Sequence, residues 1–181
     1  MYENDEFDNT ELDAEELADR AANIKLVLTD VDGVLTDTGV YYGANGEELK
    51  RFSIRDGMGV ELLHEEGIET AFCTRENTPT VKSRSEKLRL KYYFSGIQDK
   101  AEFLPKILAE TGLELKNLAY IGDDVNDIGI IQLIRREGLT GAPGDGISEV
   151  LGEVHHVGNI RAGHGAFRAF ADWIIELRRV E

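Results

Sequence analysis

The sequence predicts an α/β fold, a Rossmann-like parallel sheet with helices on both faces and a β-hairpin inserted after the first strand. Short apolar runs rich in β-branched residues recur along the chain, separated by amphipathic segments of about ten residues, the pattern of right-handed βαβ crossovers. Aspartates follow two of these runs: Asp30 and Asp32 after the first, Asp123, Asp124 and Asp127 after the fourth. Composition agrees with one ordinary domain of 181 residues, 41% hydrophobic and 30% charged. No apolar stretch approaches the roughly 20 residues of a membrane helix.

Residues 1–23 read as an acidic, flexible arm outside the core. The first 20 residues hold nine acids against one base, and a short helix is expected from Thr10 to Ala22, capped by that threonine. From residue 24 to 181 a single folded unit is expected. Ile24-Lys-Leu-Val-Leu-Thr-Asp30 is a buried strand by its apolar, β-branched run. Gly39-Val-Tyr-Tyr and Glu48-Leu-Lys-Arg-Phe-Ser flank the turn signal Gly43-Ala-Asn-Gly46 and predict a hairpin. Met58, Val60, Leu62 and Leu63 carry a helical spacing over residues 57–66, which Gly67 stops. Glu69 to Thr74 is a second buried strand, Pro79 to Leu88 a charged amphipathic helix and Tyr92-Tyr-Phe94 a third strand. A helix from Asp99 to Gly112 places Phe103, Leu104, Ile107 and Leu108 on one face. Leu118-Ala-Tyr-Ile121 is a fourth strand, and a helix over 127–137 follows its aspartates. Leu139 to Ala142 is a fifth strand, Ile147 to Leu151 a short helix, Val154 to Val157 an extended segment and Gly165 to Arg178 the closing helix.

Charge and cysteine content narrow the function classes. Twenty basic side chains against 35 acidic ones give a net charge of -15, which disfavours nucleic-acid binding; no nucleic acid and no membrane partner is expected. Cys73 is the single cysteine, so no internal disulfide forms, and no Cys/His cluster has zinc spacing. A cytoplasmic enzyme is the expected class. In open parallel α/β sheets ligands bind outside the carboxyl ends of the strands, where both aspartate clusters fall. Carboxylates gathered there repel one another unless a hard cation neutralises them, and Mg²⁺ takes one or two carboxylates together with waters and phosphate oxygens. The two clusters together predict a Mg²⁺ site.

The motifs Asp30-Val-Asp-Gly-Val-Leu-Thr36, Thr74, Lys100 and Gly122-Asp-Asp-Val-Asn-Asp127, in this order, resemble those of the haloacid dehalogenase (HAD) superfamily of phosphohydrolases. More narrowly, Phe52-Ser-Ile-Arg-Asp-Gly-Met-Gly59 and Val81-Lys-Ser-Arg-Ser-Glu-Lys-Leu88 resemble the 3-deoxy-D-manno-octulosonate 8-phosphate phosphatases and relatives acting on nonulosonate 9-phosphates. The resemblance spans Ile24 to about Leu177 and implies a HAD-like sheet with the hairpin in place of a large cap. It implies that Asp30 is the nucleophile forming an aspartyl phosphate, that Asp32 is the general acid and base, and that Thr74 and Lys100 bind phosphoryl oxygens. Mg²⁺ would be held by Asp30, the backbone carbonyl of Asp32 and Asp123, with Asp127 and Asp124 supporting. Arg55, Arg75 and Arg84 are candidates for a substrate carboxylate, since a guanidinium matches a carboxylate in bidentate geometry. The resemblance also implies a homotetramer acting on a small anionic sugar phosphate.

Two departures from the family pattern bear on the substrate. Thr74-Arg-Glu-Asn77 stands where octulosonate phosphatases commonly read Thr-Gly-Arg, and Ala162-Gly-His-Gly-Ala166 stands where Gly-Gly-Arg-Gly-Ala is frequent, making His164 a candidate substitute for that arginine. The octulosonate 8-phosphate is the expected substrate, with a nonulosonate 9-phosphate or a noncatalytic module associated with a cytidylyltransferase as alternatives. His64, His155, His156 and Cys73 are expected to be packing or surface residues, and Arg135 and Arg136 a solvated helix end.

Overall fold

The computed structural model describes residues 12–180. Its elements are α1 (Ala14–Asn23), β1 (Leu26–Thr29), β2 (Val40–Gly43), β3 (Gly46–Lys50), α2 (Ile54–Glu65), β4 (Glu69–Cys73), α3 (Pro79–Lys87), β5 (Tyr92–Phe94), α4 (Lys100–Thr111), β6 (Leu118–Ile121), α5 (Val125–Ile134), β7 (Leu139–Ala142), α6 (Ser148–Leu151), β8 (His156–Val157) and α7 (Ala166–Leu177). Six strands form one sheet in the order β5-β4-β1-β6-β7-β8, with every neighbouring pair parallel. The antiparallel pair β2-β3 stands apart from it. The expected fold class and order of elements are therefore found. Among the described residues no helix is long and apolar enough to cross a membrane.

Strand periodicity divides the core into two layers. Successive side chains point to opposite faces, so Val27, Phe72, Ala119 and Ile121 join the apolar layer beneath α2 and α7, while Leu26, Leu28, Ala71 and Tyr120 join the layer beneath α4 and α5. Both faces of the central strands are covered, which is why these strands read as continuous apolar runs rather than alternating ones. β1 lies between β4 and β6: the chain runs from β1 to β4 and β5 on one side, then crosses back to β6, β7 and β8 on the other. That reversal opens a crevice at the carboxyl ends of these three strands.

The acidic leader differs from its expectation. Residues 1–11 lie outside the described residues, but from Asp13 onward the leader is a docked helix rather than a free arm. Asp13, not Thr10, caps α1 in a reciprocal box with Glu16: each side chain accepts from the other's backbone N–H, at 2.9 and 3.3 Å. Ala21 is fully buried, and Leu17 packs on the core beside it. Arg20 donates to the carbonyls of Arg135 and Gly138 at 2.6 and 3.1 Å, and Arg178 donates to those of Ala21 and Ile24. Acidic composition marked the solvent face of this helix and concealed its apolar one.

The segment Phe52 to Gly59 is a docking device for α7. Asp56 is buried, and its Oδ1 accepts from the backbone N–H of Arg168 at 3.1 Å, serving as a cap for a helix whose own N-cap residue, Gly165, has no side chain to offer. At Gly59 a Cβ would stand 3.0 Å from the Cα of Arg168, so glycine lets α2 and α7 approach closely. Just before α7, Gly163 N–H donates to the carbonyl of Val34 at 2.9 Å and pins the tail loop against the segment that follows β1.

Candidate active site

Four elements deliver the principal side chains. Asp30 follows β1 and is 5% exposed, Thr74 follows β4 and is 1% exposed, Lys100 opens α4 and is 2% exposed, and Asp123 follows β6. An open cavity of about 420 Å³ is lined by Asp30, Asp32, Thr38, Thr74, Arg75, Glu76 and the run Asp123 to Asn126. A lysine at a helix N-terminus faces an unfavourable dipole, and burial works against its charge as well. Lys100 tolerates both because Asp30 and Asp127 lie at 2.9 and 2.6 Å, and together they raise its pKa despite the burial. The phenol of Tyr120 completes the network: it accepts from Lys100 at 3.1 Å and donates to Asp127 Oδ1 at 2.6 Å.

One carboxylate oxygen from each of Asp30, Asp123 and Asp127 comes within 4.8 Å of the others. The three are not equivalent. Asp127 Oδ1 accepts from Lys100 and Tyr120, and its Oδ2 accepts from the backbone N–H groups of Asp123 and Asp124, at 2.9 and 3.3 Å. Asp127 therefore fixes the lysine and the loop, while Asp124 caps α5. Asp123 is the opposite case, because its Oδ1 is buried without a partner. Burial, then repulsion from Asp30, Asp127 and Asp124, pushes its carboxyl up to about 8. Burial likewise raises Asp30 to about 6, against the pull of Lys100. Gly33, at φ +93°, makes the arrangement possible, since a Cβ there would collide with the Asp123 carboxylate. An orphaned buried oxygen among mutually repelling carboxylates fits a hard divalent cation.

Asp32 is held from outside the sheet. Lys50, the last residue of β3, donates to its two carboxylate oxygens at 2.8 and 2.7 Å. Thr74 Oγ1 accepts from Glu76 N–H at 3.1 Å, which orients the strand-end loop. Thr38 lines the cavity with a left-handed backbone, φ 64°, a conformation costing a β-branched residue roughly 1–3 kcal/mol. Cys73 is buried, and desolvation pushes its thiol up to about 12, so it packs rather than reacts.

The expected substrate residues separate into three groups. Arg75 lines the cavity with Asp30. Arg55 and His164 do not; they line a second cavity of about 400 Å³ with Arg51. His164 Nδ1 lies 2.7 Å from the carbonyl of Ala162 and its Nε2 lies 3.0 Å from Arg51, so the ring is held by its own loop and by β3's continuation. Arg84 lines neither of these two cavities. Its guanidinium lies over the Phe52 ring, 5.4 Å from the centroid, and donates to the carbonyl of Ser53 at 3.1 Å, so it ties α3 to the start of α2. Sequence reasoning missed Lys50, Tyr120 and Thr38. Tyr120 left a faint signal, a hydroxyl in an otherwise apolar strand; Lys50 and Thr38 left none that periodicity reads.

No family model matches the chain. It is 35% identical over 162 residues, 90% of this chain and 85% of the relative, to the 3-deoxy-D-manno-octulosonate 8-phosphate phosphatase KdsC of Yersinia pestis. Among solved structures it is similar to the cobalt-bound deoxy-D-mannose-octulosonate 8-phosphate phosphatase of Haemophilus influenzae, with a TM-score of 0.82 and 35% identity, covering 88% of this chain and 91% of that one. A third is the 3-deoxy-D-manno-octulosonate 8-phosphate phosphatase of Moraxella catarrhalis in complex with magnesium, phosphate and KDO. Its TM-score is 0.83 at 29% identity, over 91% of this chain and 92% of that one.

Proposed function

The chain belongs to the 3-deoxy-D-manno-octulosonate 8-phosphate phosphatase family of the HAD superfamily, and from that membership we propose that it is a Mg²⁺-dependent phosphomonoesterase hydrolysing 3-deoxy-D-manno-octulosonate 8-phosphate. The observation that carries the reading is the meeting of Asp30, held at 2.9 Å by Lys100, with the unpartnered Oδ1 of Asp123. Asp30 and Asp123 would hold the cation with the backbone carbonyl of Asp32. When bound, Mg²⁺ supplies the positive charge that lets an anionic nucleophile approach an anionic phosphate.

Asp30 attacks phosphorus, the bond from phosphorus to the sugar oxygen breaks, and Asp32 gives that oxygen a proton. Asp32 then takes a proton from the water that attacks the aspartyl phosphate, releasing inorganic phosphate and restoring Asp30. Lys100 and Thr74 bind phosphoryl oxygens that do not react, and Asp127 holds Lys100 in place. Arg75 is the basic side chain at the cavity wall suited to the sugar carboxylate. Arg55 and His164 serve substrate only across a subunit boundary, which agrees with a homotetramer built through the hairpins. The phosphatase unit begins with α1 rather than at residue 24, and the acidic residues before it lie outside the reaction. A cytoplasmic setting suits the lone thiol of Cys73.

A nonulosonate 9-phosphate is the second reading, favoured by Glu76 at the cavity wall within Thr74-Arg-Glu-Asn77. The deciding experiment measures phosphate release from both sugar acids and from glucose 6-phosphate, with Mg²⁺ and with chelator. The octulosonate ester is expected to be the best substrate, and Asp30→Asn is expected to fold normally and to lose orders of magnitude in turnover. A preference for the hexose would defeat the substrate class, and near-parent turnover by Asp30→Asn would defeat the mechanism.

A further inference from the structure

Lys50 is an anomaly in the hairpin. Every residue of β2 is exposed, and Leu49 beside it is 62% exposed, yet the Lys50 side chain is 1% exposed. Lysine is seldom buried without a partner, and this one has two. Its Nζ donates to both oxygens of Asp32, and it lies 3.7 Å from Oε2 of Glu47.

Glu47 and Lys50 share a face only because the hairpin is irregular. Residues three apart on a regular strand point to opposite sides. Here the register shifts between Tyr41 and Tyr42, so that Tyr41 pairs with Leu49 while Tyr42 pairs with Glu47. The bulge leaves Glu48 without a pairing partner, turns Glu48 and Leu49 to solvent, and aims Glu47 and Lys50 inward together. The result is an ammonium between two carboxylates, close to one and loosely placed against the other. The second carboxylate has spare capacity, since Glu47 Oε1 is buried with no hydrogen-bond partner.

We propose that Lys50 is a positioning residue that aims the Asp32 carboxyl group at the leaving oxygen, with Glu47 as the anchor that takes over Lys50 when Asp32 turns to the substrate. The proposal rests on the assignment of Asp32 as acid and base made above. A side chain clamped on both oxygens cannot present one of them to a leaving group. Glu47 lowers the cost of loosening the clamp, because the hydrogen bond that Asp32 gives up is remade at a carboxylate already in place. The hairpin thus sets the aim of a group on the β1 loop without touching phosphorus.

The test uses the full chain with Mg²⁺ and two substrates, octulosonate 8-phosphate, whose alkoxide leaves only with a proton, and p-nitrophenyl phosphate, whose phenolate leaves without one. In a reaction through a phosphoenzyme, kcat/KM reports events up to departure of the leaving group, so the ratio of the two kcat/KM values isolates proton donation. Lys50→Met, which keeps the buried stem, is expected to lower the sugar-to-aryl ratio by about tenfold or more, and Lys50→Arg to recover most of that loss. Glu47→Gln is expected to lower the same ratio by about threefold with the fold intact. Equal losses on both substrates in a folded Lys50→Met variant would overturn the proposal. If that variant does not fold, Glu47→Gln decides alone, an unchanged ratio overturning the proposal and a lowered one supporting it. A parent enzyme that released phosphate from neither ester would instead overturn the phosphatase reading.

Discussion

A buried carboxylate oxygen with no partner is costly, and Asp123 Oδ1 is one, within a cluster that also holds Asp30 and Asp127. Removing its charge should relieve repulsion while destroying the cation site. Asp123→Asn is therefore expected to melt no lower than the parent in chelator, to gain nothing when Mg²⁺ is added, and to lose activity by orders of magnitude. Thermal unfolding with chelator and with Mg²⁺ checks this, and a Mg²⁺ shift equal to the parent's would refute it. A second residue links structure to pH. Burial, then Arg20 and Arg135, pushes His155 down from 6.5 to about 4. The folded protein keeps the ring neutral, while the unfolded chain takes up a proton below 6.5. Its contribution is whole above that value and is lost as pH falls toward 4. His155→Gln retains an acceptor for the Thr140 N–H, which the ring meets at 3.1 Å. The variant should show a shallower loss of melting temperature between about pH 7 and pH 4; parallel pH profiles would count against it.

Elements were legible where periodicity defines them and blurred where caps do. β4, β5 and β7 lie where their apolar runs put them, and Gly112, in the left-handed conformation at φ 70°, ends α4 as expected. The start of α2 moved from residue 57 to Ile54 because Ser53 caps it by accepting from Arg55 N–H, while Ile54 is 87% exposed and breaks the apolar spacing. α5 begins two residues early for the same reason, with Asp124 as its cap. Asp30, Asp32, Lys100 and Asp123 were readable from motif order. Lys50 was not, because its inward aim depends on a bulge that strand alternation does not reveal. Asp56 illustrates how a motif can be recognised without its physical role, here the capping of α7 from another helix. Asp56→Ala should cost roughly 1–2 kcal/mol. A lower urea midpoint at unchanged slope is the expected reading, and an unshifted midpoint would show that water replaces the cap at no cost.

At the scale of the whole molecule, the hairpin is the feature that exposes most apolar surface on adjoining strands. Tyr41, Tyr42 and Leu49 are 62%, 75% and 62% exposed on two strands that pair only with each other. Open strand edges bearing aromatics favour further pairing. Light scattering is expected to return a particle of four subunits, and Tyr42→Asp with Leu49→Asp a smaller and less active one. A stable monomer with full activity would remove the assembly from the account.

The position of β1 between β4 and β6 has a consequence for synthesis of the chain. Leu26 to Thr29 cannot complete their pairing until Leu118 to Ile121 have been made, because β6 is one of the two strands that flank them. Asp30 is thus translated well before Asp123, which would share its cation. A nascent chain released before β6 would carry Asp30 but none of the carboxylates after β6, and its apolar central strand would remain uncovered on one edge. Catalytic competence consequently appears late in biogenesis, when the first strand of the sheet has received its distant neighbour.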